Sequence, residues 1–433
     1  MRNLVFMLTM TGLLPLIIVR PFAGVMLWSW ISFMNPHRLL WGDMAAEMPW
    51  AMMIFFFVIV GCFVAREPKK FVMTPIMWLV VLFLICISYT SLFALAPVDT
   101  VYDKWLTTFK TFFFLLIVGA LVTEQRRIQG MIWIMVISLG YFGIRGGVFA
   151  IMHGGSYRVL GPPETMISDN NHLAAALLVM LPLMNYLRTQ SAHRIVRIAL
   201  LGAMGLTLLA VLSSYSRGAL IGLGAMSGVL WLRSNSKIIF GAVMVGALVG
   251  ALSFMPQQWY DRMNSIGSYQ QDDSAEGRLN IWMASLAMAE ARPLLGGGFK
   301  APYIQSIVDE YAPGTTARAV HSIYFEVIGE HGFLAFAVWL LMPLTGFASA
   351  ARIIRLTKKR PDLTWAHELA KMSQVSIVTY LVAGAFLSLC YWDYFFTLLT
   401  ILGSLSYYVR TIVASERPAR QRWLPAARVA LPA

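Results

Sequence analysis

Apolar residues run through this chain in long blocks divided by short polar connectors, and the blocks have the length of a bilayer crossing. Windows of about 17–25 apolar residues fit one helix across a hydrocarbon core. The pattern predicts helices at roughly 49–65, 75–95, 105–122, 130–152, 170–187, 195–213, 218–232, 238–254, 322–348, 373–391 and 393–409. The first segment, MRNLVFMLTMTGLLPLIIV, has one arginine and no small-residue cleavage site after it. It reads as a retained membrane segment and not as a signal peptide. The stretch 21–34, which runs into WSWISFMNP, is open between a second short span, a re-entrant segment and an interfacial helix.

The connectors sort by charge. REPKK (66–70), EQRR (124–127), the Arg188/Arg194/Arg197 connector, RSNSK (233–237), RIIRLTKKR (352–360) and the tail from Arg410 are basic. The positive-inside rule places them in the cytoplasm. Parity then puts 96–104, 153–169, 213–217, 255–321 and 391–393 outside. With one crossing before residue 49, the chain has about twelve transmembrane helices and both termini are cytoplasmic. The predicted fold class is therefore an all-α polytopic membrane protein, a single integral membrane domain over 1–433. It has one large extracytoplasmic loop at 255–321 and a basic cytoplasmic tail at 410–433.

Composition agrees. The 433 residues are 58% hydrophobic and 13% charged, against about 45–50% apolar and about 25% charged in soluble domains. A net charge of +13 would suggest nucleic-acid binding in a soluble protein. Here the large loop carries five basic residues (Arg262, Arg278, Arg292, Lys300, Arg318) against seven acidic ones (Asp261, Asp272, Asp273, Glu276, Glu290, Asp309, Glu310). The positive excess thus belongs to the cytoplasmic side, and topology explains it without a nucleic-acid partner. Cys62, Cys86 and Cys390 sit in apolar runs with neither disulfide nor zinc spacing.

Inside the loop, Ser274 is placed to cap a helix running to about Ala291, stopped by Pro293 and the glycines 296–298. A second amphipathic stretch, YIQSIVDEY (303–311), follows. The chain shows no internal repeat, which counts against a transporter built from inverted halves.

Candidate chemistry collects on the outer side. Arg217 lies in SSYSRG, where one predicted helix ends and the next begins. Alone it is as readily an arginine snorkelling to lipid phosphates. Arg278 in SAEGRLNIW, alone, is a solvated charge or a partner for Glu276 or Asp273, and His321 in AVHSIYFEVIGEHGF, alone, is more often structural. Together they suit a different task. Two guanidiniums and a helix start are what a diphosphate needs, and a nearby imidazole can take a hydroxyl proton near neutral pH.

The wider polar set comprises Arg158, Asn171, Glu326 and Glu330, as glycan or acceptor contacts or as structural groups. Glu326 and Glu330 share one helical face, and Glu330 can alternatively pair with an arginine of a neighbouring helix. Asp169 or Asn170 can cap the helix that follows. Asn171 and His172 then fall in its first turn, where they can hold sugar hydroxyls. HExxH, Walker, GxSxG and CxxC motifs are missing, and Asp43 and Glu47 are too far apart for a DxD metal clasp. The expectation is arginine-driven group transfer with no metal and no cofactor.

In these pieces the chain resembles the O-antigen ligase-like family of bacterial membrane glycosyltransferases, which also holds O-antigen polymerases and protein O-glycosylation ligases. The matching pieces are RVLGPP, NNHLA, SRGAL, GRLNIW with PLLGGGF, and HSIYFEVIGEHGFL, in the family's order between about residues 157 and 340. The whole chain looks most like the subgroup of O-glycosylation ligases associated with the exosortase system. Ser322 departs from the asparagine that many relatives place after the histidine.

The resemblance implies a GT-C-like ligase fold in the bacterial inner membrane, with the active site facing the periplasm. It implies an undecaprenyl-diphosphate-linked glycan as donor, a hydroxyl of a lipid or protein as acceptor, and membrane lipids as surroundings. Arg217 and Arg278 match the family's diphosphate-binding arginines, and His321 matches the histidine that activates the acceptor. A polymerase with the same chemistry is the close competitor. A polysaccharide or lipid transporter and a non-catalytic scaffold are the distant ones.

Overall fold

Inside hydrocarbon every backbone amide must find its partner within its own segment, and the apolar blocks accordingly fold as helices. The computed structural model describes residues 2–40, 43–234, 236–264 and 273–415. Among them the order is α1 (Arg2–Val19), α2 (Pro21–Met34), α3 (Asp43–Ala46), α4 (Trp50–Val64), α5 (Pro75–Leu92) and α6 (Val98–Leu121). There follow α7 (Gln125–Met152), α8 (Asn170–Gln190), α9 (Arg194–Leu212), α10 (Arg217–Arg233), α11 (Lys237–Ser253) and α12 (Gln257–Asn264). The last are α13 (Asp273–Ala291), α14 (Gln305–Tyr311), α15 (Ile323–Thr357), α16 (Thr364–Gly384) and α17 (Asp393–Ser415). No strand occurs among the described residues.

Seven described helices, α1, α5, α6, α7, α9, α15 and α17, are long and apolar enough to cross a membrane. This gives a polytopic membrane protein without fixing the expected number of about twelve. The other candidate spans are helical but shorter, like α4 and α11, or mix polar residues into the apolar run, like α8 and α16. The stretch 21–34, open in the sequence, is one continuous helix of 14 residues packed on α4 and α7. Its length is about 21 Å at 1.5 Å per residue.

Several ends differ from the hydropathy blocks: α6 starts at Val98, inside the connector expected at 96–104, and α16 stops at Gly384, short of 391. Two further ends differ for one reason. α16 begins at Thr364 and not at 373, because the polar-looking TWAHELAKMSQ buries Trp365, Ala366, Leu369, Ala370 and Ser373 along one stripe. α15 runs on to Thr357, burying Ala350, Ile353 and Thr357. Helical periodicity continues where mean hydropathy has already fallen. The helix expected to be capped by Ser274 begins at Asp273, so Ser274 falls inside its first turn. Residues 265–272 of the large loop, Asp272 included, and residues 416–433 of the basic tail lie outside the described residues.

α8 is the central strut, buried almost continuously from Leu173 to Leu187 and in contact with α7, α9, α10 and α16. α15 is the second pivot, touching α5, α13, α16 and α17. Leu8, Trp78, Ile85, Leu201 and Ile238 point outward, as side chains solvated by lipid tails do.

α15 is broken at Gly332, whose φ of 73° and ψ of −176° interrupt the helix. The helical partners lost there are replaced by the loop after α13. The Gly297 and Gly298 N–H groups donate to the carbonyls of Gly329 and Glu330 at 2.8 and 2.7 Å, and the Phe333 N–H donates to the Pro293 carbonyl at 2.8 Å. Gly296, at φ +59°, lies so close that a Cβ would come within 2.7 Å of the α15 backbone. The glycine triplet thus stops α13 and completes α15 as well.

Candidate functional site

The hydroxyls around Arg217 build a turn. Tyr215 adopts φ +59°, and its hydroxyl donates to the Gly155 carbonyl at 2.8 Å. The Ser214 hydroxyl donates to the Val211 carbonyl and accepts the Ser216 N–H. Ser216 caps α10 by accepting the Ala219 N–H at 3.2 Å. The carbonyls of the same turn accept from neighbours: Ser213 from the Val159 N–H, Ser214 from the Asn170 amide at 2.6 Å, and Tyr215 from Arg262 Nε at 3.2 Å. Arg217, half-buried, is therefore the first residue of a helix whose start is held from three sides.

Asn170 also opens α8, and Asp169 is the cap. Its Oδ1 accepts the Asn171 N–H at 2.7 Å and the His172 N–H at 3.3 Å. The same oxygen lies 3.2 Å from His172 Nδ1. Burial works against the Asp169 charge, but the hydrogen bonds from the His172 ring and the Asn171 N–H outweigh it and hold the carboxyl well below the usual range. The Asn171 side chain reaches Asn170 Oδ1 at 3.4 Å, and Arg158 is exposed on the loop before α8, close enough to act on Tyr215.

The His172 ring centroid is 6.0 Å from that of His321. His321 has φ +50°, a left-handed backbone that costs a residue with a side chain about 1–3 kcal/mol. Both flanks are pinned. The His321 N–H donates to Ser388 Oγ at 2.9 Å, and Trp282 Nε1 of α13 donates to the Val320 carbonyl at 2.7 Å. Ser388 also bonds the Tyr303 hydroxyl, which donates to Glu326 Oε1 at 2.8 Å. His321 Nδ1 is buried with no hydrogen-bond partner among the described residues.

Burial first, then the Arg278 guanidinium, His172 and Arg318, push His321 down to about 4, with Asp169 opposing. The ring is neutral near pH 7 and able to accept a proton. Arg278 sits in the first turns of α13, half-buried. Beside it Gly277 leaves room for the Arg318 guanidinium, which a Cβ would overlap. The connector between α16 and α17 draws these parts together. Phe386 packs on Gly218, next to Arg217, and its ring centroid is 6.4 Å from that of Trp282 on α13.

Arg278, His321 and His172 thus lie together, and the turn carrying Arg217 is tied to them through Asn170 and Phe386. Glu326 and Glu330 lie deeper, both buried. Glu330 accepts from the Lys300 N–H at 2.8 Å and the Tyr391 hydroxyl at 2.6 Å; its partners are a backbone amide and a phenol, where an arginine was an alternative. Three residues packed around His321 were not singled out with it in the sequence, although His172 was placed with Asn171 as a candidate contact for sugar hydroxyls. His172 looked like a first-turn polar residue, Arg318 was one charge among many, and Ser388 sat in an apolar block.

Residues 202–340 match the O-Antigen ligase family model. The O-antigen ligase match covers Arg217, Arg278 and His321, and supports a membrane glycosyltransferase of glycan ligase or polymerase type. Residues 1–192, which carry Asp169 and His172, match a family of unknown function (DUF5935). No curated protein matches the chain.

Proposed function

We propose that the chain is a glycan ligase. It transfers an undecaprenyl-diphosphate-linked oligo- or polysaccharide to a hydroxyl of a lipid or protein acceptor at the periplasmic face of the bacterial inner membrane. His321 takes the acceptor proton, the oxygen attacks the anomeric carbon, and the bond to the diphosphate breaks with its electron pair on the leaving oxygen. Arg217 and Arg278 hold the charge that gathers there, as planar forks suited to phosphate oxygens. The observation that carries this reading is the grouping of a neutral, unpartnered imidazole with Arg278, within a segment matching the O-antigen ligase model.

The test is a deletion in the native host complemented by wild type or His321→Ala, with lipid-linked glycan and surface-glycan chain length measured. Long glycan accumulating on its carrier, cleared only by wild type, is expected. Collapse to single repeat units assigns polymerisation instead, and clearance by His321→Ala removes the histidine from the mechanism.

A further inference from the structure

We propose that His172, oriented by Asp169, is a second proton-transfer residue of this site, receiving from His321 the proton that the acceptor hydroxyl gives up. The inference rests on the glycosyl-transfer reading above. Beyond His321 its geometry draws on residues that reading does not use. The Asp169 carboxylate reaches His172 Nδ1 at 3.2 Å, and the imidazole stands 6.0 Å, centroid to centroid, from His321. At that spacing facing ring edges approach to roughly 4 Å, just beyond hydrogen-bond length, with no molecule's width between them. His321 Nδ1 is buried and has no partner among the described residues.

The two rings have different neighbours. His321 is beside Arg278 and Arg318, and those guanidiniums with burial oppose an imidazolium. It can abstract a proton in the transition state but is a poor place to leave one. His172 is backed by a carboxylate. An Nδ1–H donated to Asp169 fixes the tautomer that leaves Nε2 as acceptor, and the carboxylate compensates the imidazolium formed when Nε2 is protonated. Groups whose surroundings differ in this sense divide acid and base work.

The balance closes without a co-reactant. The acceptor O–H breaks and the anomeric C–O bond forms. The anomeric bond to diphosphate breaks with its electrons leaving on oxygen, and the proton passes through His321 to His172. The imidazolium then gives it up from Nε2 to water, the His172 side chain being 11% exposed, while Asp169 stays ionised and keeps Nδ1–H in place.

Asp169 also caps α8, so the decisive variant must keep the cap. Asp169→Asn does, because asparagine caps helices as well as aspartate. The full chain is reconstituted in liposomes with the lipid-linked glycan that accumulates in the deletion strain and a membrane extract of that strain as acceptor source. Release of polyprenyl diphosphate is followed. Asp169→Asn is expected to lower kcat by roughly 100-fold with KM for the donor within about twofold, and His172→Ala to lose activity that added imidazole restores in part. Asp169→Asn at a kcat within about twofold of wild type overturns the proposal, whatever His172→Ala does. No release by wild type overturns the glycosyl-transfer reading and this one with it.

Discussion

Two polar clusters flank the first turns of α15, and they are finished in opposite ways. Around Glu330 and His331 most of the polar atoms are paired and walled in: Lys300 and Tyr391 satisfy the carboxylate, Thr90 meets His331 Nδ1 at 2.7 Å, and Phe299 and Phe83 stand edge-on to the imidazole, whose Nε2 has no partner among the described residues. Around His321 the chain holds the backbone from behind, with Ser388 and Trp282 on the main chain, and leaves the buried Nδ1 without a partner among the described residues. A buried polar group that is paired serves the fold. One kept strained beside guanidiniums, with no partner among the described residues, is the group the proposed reaction uses.

The largest effects should separate the clusters. His321→Ala, Arg217→Lys and Arg278→Lys should each cut turnover by roughly 100-fold or more, a few kcal/mol of transition-state stabilisation. Unchanged folding by circular dichroism is expected alongside. Full turnover in both lysine variants breaks the two-arginine clamp. Next comes Gly296→Ala, in the closed cluster. Its Cβ meets the α15 backbone at a left-handed φ, and overpacking of this kind costs about 1–3 kcal/mol. A lowered melting temperature in detergent checks it, and an unchanged one removes the loop's role in completing α15.

Glu326→Gln should do less. It keeps an acceptor for the Tyr303 hydroxyl, so donor turnover should stay within about threefold, the effect of losing part of one hydrogen bond. A hundredfold fall would move the reaction inward and erase the contrast. The smallest effect is in the pH profile. With His321 pushed down to about 4, its neutral form persists as pH falls, and the acid limb of kcat/KM should lie near that value. Arg318→Gln removes one of the charges opposing the imidazolium, so the limb should move up toward the ordinary 6.5. No upward movement would take Arg318 out of the cluster.

The contrast also separates what was legible in the sequence from what was not. Helices governed by local periodicity were readable nearly to their ends: 218–232 became Arg217–Arg233 and 195–213 became Arg194–Leu212. The cap of α8 was readable to within one residue, as Asp169 or Asn170, because capping is a matter of neighbouring residues, and Asp169 is the one that caps. Pairings across long separations were not. Nothing near Gly297 announces Gly329, nothing near His172 announces His321, and Gly277 shows its purpose only once Arg318 lies against it. The family resemblance reached Arg217, Arg278 and His321 because their motifs stand in order. It did not reach Ser388 or Asp169 as supports.

The break in α15 sets how the outer loop can move. Three of its backbone hydrogen bonds are made by residues 293–298, and withdrawing them would leave helix amides and carbonyls unpaired, about 1–3 kcal/mol for each buried group. The carboxyl end of α13 is therefore a fixed pivot. Arg278 rides some 20 Å away at the opposite end of that helix, by 1.5 Å per residue. The helix is no free arm, however: Ile281, Ala284 and Met288 are fully buried along it and Trp282 is tied to Val320. It acts as a splint against α15, so that Arg278 and His321 are carried on one frame.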